Sequence, residues 1–310
     1  MSPTIVRGSA AALMLLALLS GAACRTAARS TGTSETAGQK AVKIQIDDYL
    51  KRISIAQDDG RREDLDQYVL DLQAVVHEHF AMLLAMIQKG TLEDKVLAAG
   101  ALGFSKDRSV IPYLLGTLRP DVPPDVRTNA LGSLGFMGSV ETPTEPIFES
   151  MKDRNPEIRA AACYATGRII RPGDDRGASG PLIRALDDED WRVRNNAAVA
   201  LMNSGSRSAT TALVLRGLRD VNPRVRVNSA LALGELRDPA AVEPLVEALQ
   251  AEDTLQVHAA AEALEKITGQ KFGRSYPLWK DWWEAQRAKE SETDARKPPQ
   301  APPDAPAPNR

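Results

Sequence analysis

The sequence predicts an all-α chain built as a solenoid of stacked helix pairs, and three observations carry that prediction. An Asp precedes an Arg by six residues at Asp121/Arg127, Asp153/Arg159, Asp188/Arg194 and Asp220/Arg226, and a softened rung follows at Glu252 and His258. A β-branched residue stands just before each basic one (Val126, Ile158, Val193, Val225 and Val257) at intervals of 32, 35, 32 and 32 residues, a period that stacked supersecondary units produce. After each of these comes a run of small and aliphatic residues. Positions four and eight beyond the Val, such as Ala130 and Leu134, share one helical face.

Each unit therefore reads as a first helix carrying the Val-Arg and a second helix behind it. Gly135, Gly167 and Gly234 stand where the first helix is expected to end, since a residue without Cβ accepts the left-handed turn cheaply. The second helix opens with Pro in or near its first turn, at Pro112, Pro146, Pro181, Pro244 and Pro277, where no N–H is lost. Its apolar stripe is clearest in Val242-Leu245-Val246-Leu249 and Leu182-Ile183-Leu186.

These residues resemble the HEAT repeat family, in particular its bacterial HEAT-like, phycobilin-lyase-type branch, whose repeats show Val-Arg, small residues and Ala-Leu-Gly at these offsets. The resemblance spans residues 91–287 as six repeats. It implies a right-handed superhelix whose Asp and Arg form a hydrogen-bonded ladder between neighbouring repeats, carried here onto the four Asp/Arg pairs with each Arg matched to its own Asp. An anion-binding row of arginines is the rival, and it yields because partly buried charges need partners. The resemblance also implies that the second helices line the concave surface, so Arg184, Asp187, Arg216, Glu243 and Glu247 are the expected partner-binding residues. The first repeat departs from the pattern with Asp94 in the Val place, and in the last Leu264 arrives one residue early; terminal repeats are atypical because one side faces solvent. An insertion at 172–177 is expected to project from one edge of the stack.

Taken from the start, residues 1–23 hold one charge, Arg7, and the apolar run Ala10–Leu19, which reads as a secretory signal peptide. Gly21-Ala22-Ala23-Cys24 resembles a bacterial lipobox, which implies an acylated Cys24, although Gly21 stands where that motif prefers a branched aliphatic residue. Ordinary cleavage after Ala23 is the alternative and would give a soluble periplasmic or secreted protein. Acyl chains would hold the protein on a membrane, and Arg25 after the Cys resembles lipoproteins sent to an outer rather than an inner membrane. Residues 24–43, poor in aliphatics, read as a flexible tether. Residues 44–90 read as an N-terminal helical cap, with an apolar pattern from Leu65 to Ile87 that Pro and Gly do not interrupt. A coiled-coil dimer helix is the sharper alternative. At the other end, Trp279, Trp282 and Trp283 fall on one helical face and can close the stack; an aromatic platform for a glycan or peptide competes with that reading. Residues 288–310 turn charged and then Pro/Ala-rich and are expected to be disordered.

Chemistry finds little to start from. With 39 basic and 41 acidic residues the chain has no global field to draw nucleic acid. His77 and His79 point to different sides of a helix and so cannot share an ion. Cys163, among alanines in a first helix, reads as a buried thiol. No strand-turn-helix context activates a Ser. The sequence-level expectation is a non-enzymatic, cofactor-free monomer: a membrane-anchored cell-envelope scaffold or adaptor for a protein partner. A bilin or cofactor lyase, or a lyase-like chaperone, is the alternative that the resemblance brings.

Overall fold

The computed structural model describes residues 35–295. The segment read as a signal peptide, Cys24, the segment read as a tether up to residue 34, and the residues beyond 295 lie outside the described residues. Within them every regular element is helical, and an isolated Arg171–Asp174 bridge is the one β pairing. Three helices lead in: α1 (Ala37–Asp58), α2 (Arg62–Glu78) and α3 (Phe80–Lys89). Six pairs follow: α4 (Leu92–Ala101) with α5 (Ile111–Gly116), α6 (Pro124–Met137) with α7 (Glu145–Ser150), and α8 (Pro156–Ile169) with α9 (Ser179–Ala185); then α10 (Trp191–Ser204) with α11 (Thr210–Ala212), α12 (Pro223–Leu236) with α13 (Val242–Ala248), and α14 (Thr254–Thr268) with α15 (Tyr276–Ala295). A π turn, Leu213–Gly217, continues α11.

Local chemistry fixes most boundaries. Helix α1 starts inside the segment read as tether because Thr36 caps it: the Gln39 N–H donates to the Thr36 hydroxyl at 3.2 Å and the Gln39 side chain accepts from the Thr36 N–H at 3.0 Å. Helices α8, α10, α12 and α14 begin at Asn155, Asp190, Asn222 and Asp253, whose side chains accept the N–H two residues on at 2.8–2.9 Å. Helix α15 runs to Ala295, into the segment read as tail.

Two expectations about helix ends are corrected. The run from Leu65 to Ile87 is not one rod. It breaks at His79, where φ is −109°, and α2 meets α3 at 77°. No Pro or Gly forces the break. It lets Leu72, Val75 and Val76 of α2 and Leu83, Met86 and Ile87 of α3 enter one core, which removes the straight rod that a coiled-coil partner would need. The three glycines read as terminators lie inside their helices instead. Left-handed residues end α6, α10 and α14 at Gly138, Gly205 and Gly269, and Arg237 does the same for α12. What Gly135, Gly167 and Gly234 provide is room. A Cβ on Gly135 would lie 2.4 Å from the Tyr164 ring, one on Gly167 2.9 Å from Ala200 Cα, and one on Gly234 2.8 Å from Ala263 Cα.

That close approach decides which row is inside. The first helices α6, α8, α10, α12 and α14 pack at backbone contact along the array, while the short second helices of neighbouring pairs do not come as close. In a curved stack the more closely spaced row is the inner one, so the first helices line the concave side and the second helices the convex side. The resemblance led to the opposite assignment.

The insertion after α8 also does more than project. Arg176 donates to Val140 O at 2.6 Å and Thr142 O at 2.9 Å, and Gly173 N–H donates to Ser204 O at 3.3 Å, so the loop joins three successive pairs. At the far end Trp279 is fully buried, donates from Nε1 to Gly273 O at 2.7 Å and meets Phe272 edge-on at 5.0 Å. No single helix among the described residues is long and apolar enough to cross a membrane.

Packing this tight should not accept a side chain. Gly167→Val is expected to lower stability by about 1–3 kcal/mol. Gly116→Ala, where a Cβ meets nothing within 4 Å, should be neutral or slightly stabilising. Urea midpoints of the two variants check the contrast.

Candidate functional site

The Arg ladder is the most ordered polar feature, and its pairing is shifted by one unit from the sequence expectation. Arg127 bonds Asp153, not Asp121. Arg159 grips Asp188 through Nε and Nη2 at 2.7 and 2.8 Å, and Arg194 grips Asp220 the same way at 2.6 and 2.9 Å. The residue's own Asp contributes only its carbonyl, which accepts from Nη1 at 2.9 Å for Arg159, 2.8 Å for Arg194 and 2.9 Å for Arg226. The carboxylate of that Asp is already engaged, because Asp153, Asp188 and Asp220 accept the N–H two residues on at 2.8, 2.9 and 2.8 Å. Each Arg therefore ties its own loop to the loop of the next pair.

The ends of the ladder depart from the expected set. Asp121 is outside it: Lys95 stands where the preceding first helix would need its Arg, and exposed Asp121 pairs locally with Arg119, at 2.9 Å from Nε. Glu252 and His258 are not the fifth rung. Arg226 reaches Gln256 Oε1 at 2.7 Å and Asp253 at 3.4 Å, and His258 is exposed.

The five residues expected to bind a partner lie on second helices or the turns after them, on the convex side. Three of the five are engaged in ion pairs within the chain: Arg216 with Asp187 at 2.8 Å and Glu243 with Arg287 at 2.9 Å. Arg184 and Glu247 are exposed. The inner side presents different chemistry. At 100° per residue, positions six beyond the Val point away from both neighbours and from the second helix. Val199 and Leu231 occupy that place half-buried, with half-buried Met202 and Val227 beside them, whereas Tyr164 at the same place in α8 is buried against Gly135 of α6.

A second set of contacts escaped the sequence reading. Basic residues just past one first helix cap the carbonyl end of a neighbouring one: Lys106 donates to Phe136 O, Arg171 to Gly138 O at 3.0 Å, and Arg207 to Leu236 O and Arg237 O at 3.4 and 3.1 Å. A basic residue two to five places after the first helix was the available signal. Among the described residues no three His, Cys, Asp or Glu side chains gather as a metal site, and burial pushes the Cys163 thiol up to about 12.

The model of the HEAT repeats family matches residues 144–219 and 211–275. No curated protein matches the chain. Among solved structures, the chain is similar to the Escherichia coli protein YibA, with 17% identity, 81% of this chain and 98% of that chain covered, and a TM-score of 0.51. An engineered protein shares 20% identity over 64% of this chain and 99% of its own, with a TM-score of 0.50. A designed armadillo repeat protein shares 17% identity over 60% and 99%, at 0.48. The fold is thus that of an α-solenoid, with HEAT repeats from α7 through α14.

Removing a ladder acid leaves a nearly buried Arg facing a neutral group. The Asp220 side chain is 6% exposed and that of Arg194 12%, so Asp220→Asn is expected to cost about 3 kcal/mol, whereas Asp121→Asn should leave the urea midpoint unchanged. Burial pushes the Asp220 carboxyl up, but hydrogen bonds from Arg194 and the Asn222 N–H outweigh it and hold the folded value below the ordinary one. Its contribution is therefore fully present above about pH 4 and disappears as pH falls through the lower folded value. The wild-type protein should lose stability over that window faster than Asp220→Asn does, as acid titration of the midpoint would record.

Proposed function

We propose that the protein is a non-catalytic scaffold or adaptor of the cell envelope, held at a membrane through acylated Cys24, with an outer membrane favoured over an inner one, and that it captures a protein partner along the inner row of first helices. A HEAT- and armadillo-like array is suited to protein–protein interaction. The observation that carries the choice of face is the half-buried apolar strip of Val199, Met202, Val227 and Leu231 on two successive first helices. Contiguous apolar patches bordered by polar residues mark interaction surfaces, whereas singly scattered exposed side chains do not. Polar residues border the strip along one edge, where Arg168, Asn203 and the Glu235–Lys266 pair, at 2.9 Å, stand in the last turns of successive first helices. The convex charges, Arg184, Asp187, Arg216, Glu243 and Glu247, become secondary in this reading.

Photo-crosslinkers placed at Val199 or Leu231 should trap a defined partner in intact cells, and one at Glu247 should not. Equal yields at the two faces would overturn the assignment of the inner row. For the anchor, intact mass of the mature protein should show an acylated Cys24 in the membrane fraction, with Cys24→Ser moving the protein to the soluble fraction. Unmodified soluble wild-type protein would remove the anchor and leave a diffusible binding protein.

A further inference from the structure

Three cations from two helix pairs converge on the C-terminal turn of α6. Lys106, in the turn after the first pair's first helix, donates from Nζ to Phe136 O and stands 3.7 Å from the centroid of the Phe136 ring. Arg171, just past α8, donates to Gly138 O at 3.0 Å and to Arg168 O at 2.9 Å. Arg168 itself lies in the last turn of α8, and its carbonyl passes so close to Gly138 that a Cβ there would sit 3.3 Å from it.

Among the described residues none of these three meets a carboxylate at ion-pair distance, although the ladder arginines at the opposite ends of the first helices all do. Carbonyl dipoles satisfy Arg171. They do not satisfy Arg168, which reaches the Tyr164 hydroxyl and leaves its Nε buried without an acceptor. Burial, aided by repulsion from Arg168, brings the Lys106 ammonium down to about 8, so the two charges are held together at a cost. The carboxylates nearest in sequence are engaged elsewhere: Asp107 accepts the Ser109 N–H at 2.8 Å, and Glu141 pairs with Arg108.

We propose that Lys106 and Arg168, backed by Arg171, bind a carboxylate side chain on an acidic segment of the protein partner. The inference rests on the scaffold reading and names the chemistry at one end of its inner row. A side-chain carboxylate fits better than a phosphate because the turn also presents the carbonyls of Phe136, Gly138 and Arg168, which repel a dianion more strongly than a monoanion. The half-buried Phe136 ring, backed by fully buried Phe104 at 4.4 Å between centroids, gives apolar ground for the methylenes of Glu or Asp. With the whole chain near neutrality, recognition here acts at short range and does not steer from a distance.

The test is titration of the described array, carried on the full mature chain, with a fluorescent octapeptide of alternating Glu and Leu and with its Gln/Leu counterpart. The Glu peptide should bind and the Gln peptide should not. Lys106→Gln and Arg168→Gln should each weaken binding about tenfold, equivalent to about 1.4 kcal/mol. Lys106→Arg keeps the charge and should retain binding, which separates loss of the site from loss of the fold. Raising the pH from 7 to 9 should weaken the wild type and spare Lys106→Arg. Lys106, brought down to about 8, changes charge in that range, and the charged and titratable groups around it are Arg168, Arg171, Arg108, Glu141, Asp107 and, on α2, His77. Binding of both peptides alike, or of inorganic phosphate but not the Glu peptide, would overturn the assignment. A partner trapped on the inner row whose capture ignores Lys106→Gln and Arg168→Gln would also sink it and leave the scaffold reading standing.

Discussion

Two helices can touch backbone to backbone only where side chains are all but absent, and that constraint sets the spacing of this whole array. At Gly135, Gly167 and Gly234 a single added carbon would enter the next helix. Ala160, Ala161, Ala162 and Cys163 in α8, and Ala197, Ala198 and Ala200 in α10, keep the rest of the interface equally thin. Burying small residues yields little transfer free energy each, so the row is held by number and fit, not by large anchors. Because the first helices come so close, an Arg at the start of one can reach the acid before the next. Polar ties depend on the apolar spacing here, and the spacing does not depend on them.

The Arg ties then act on loops that the helices alone would leave loose. Arg159 and Arg194 each spend one nitrogen on the carbonyl of their own loop and the other edge on the next carboxylate, while that carboxylate also closes the turn that starts its helix. One residue thus couples a helix start, a turn and a neighbour. In a quasi-one-dimensional stack, stability is the sum of such nearest-neighbour terms. The pattern recurs at a fixed period because every interface has to be made again.

The period, the helix pairs and the closing tryptophans were legible because each leaves a one-dimensional trace: a β-branched residue before a basic one, a Pro in a first turn, aromatics three and four apart. Partner choice in the ladder left no such trace. A six-residue step between Asp and Arg looks like a pair, and only the turn geometry reveals that the Asp carboxylate is occupied by the N–H two residues on. The glycines were ambiguous for a related reason: a Gly near a helix end serves a left-handed turn or a close contact, and the sequence is the same in both cases. The bend at His79 had no local signal at all, since it follows from where Leu83 and Ile87 find a core. The inner and outer rows could not be told apart from the pattern because both carry apolar stripes; relative spacing, a tertiary quantity, decides it.

The two ends of the array show what the ladder cannot do. At the start Lys95 replaces the Arg, Asp121 is released to solvent, and the N-terminal helices take over through Lys43 of α1, which pairs with Asp94 and with Glu35. Asp94 sits where the other repeats carry an apolar residue, so the departure that looked like a degenerate repeat is the attachment point of the cap. At the finish Arg226 finds an amide and a distant carboxylate instead of a two-pronged grip, and the closing interaction passes to Trp279, buried against Phe272 and tied to Gly273 O. Both ends thus exchange the repeated ion pair for a contact that occurs once. A nearest-neighbour lattice needs this, because the last unit has no further loop for its Arg to reach and would otherwise bury a charge without a partner.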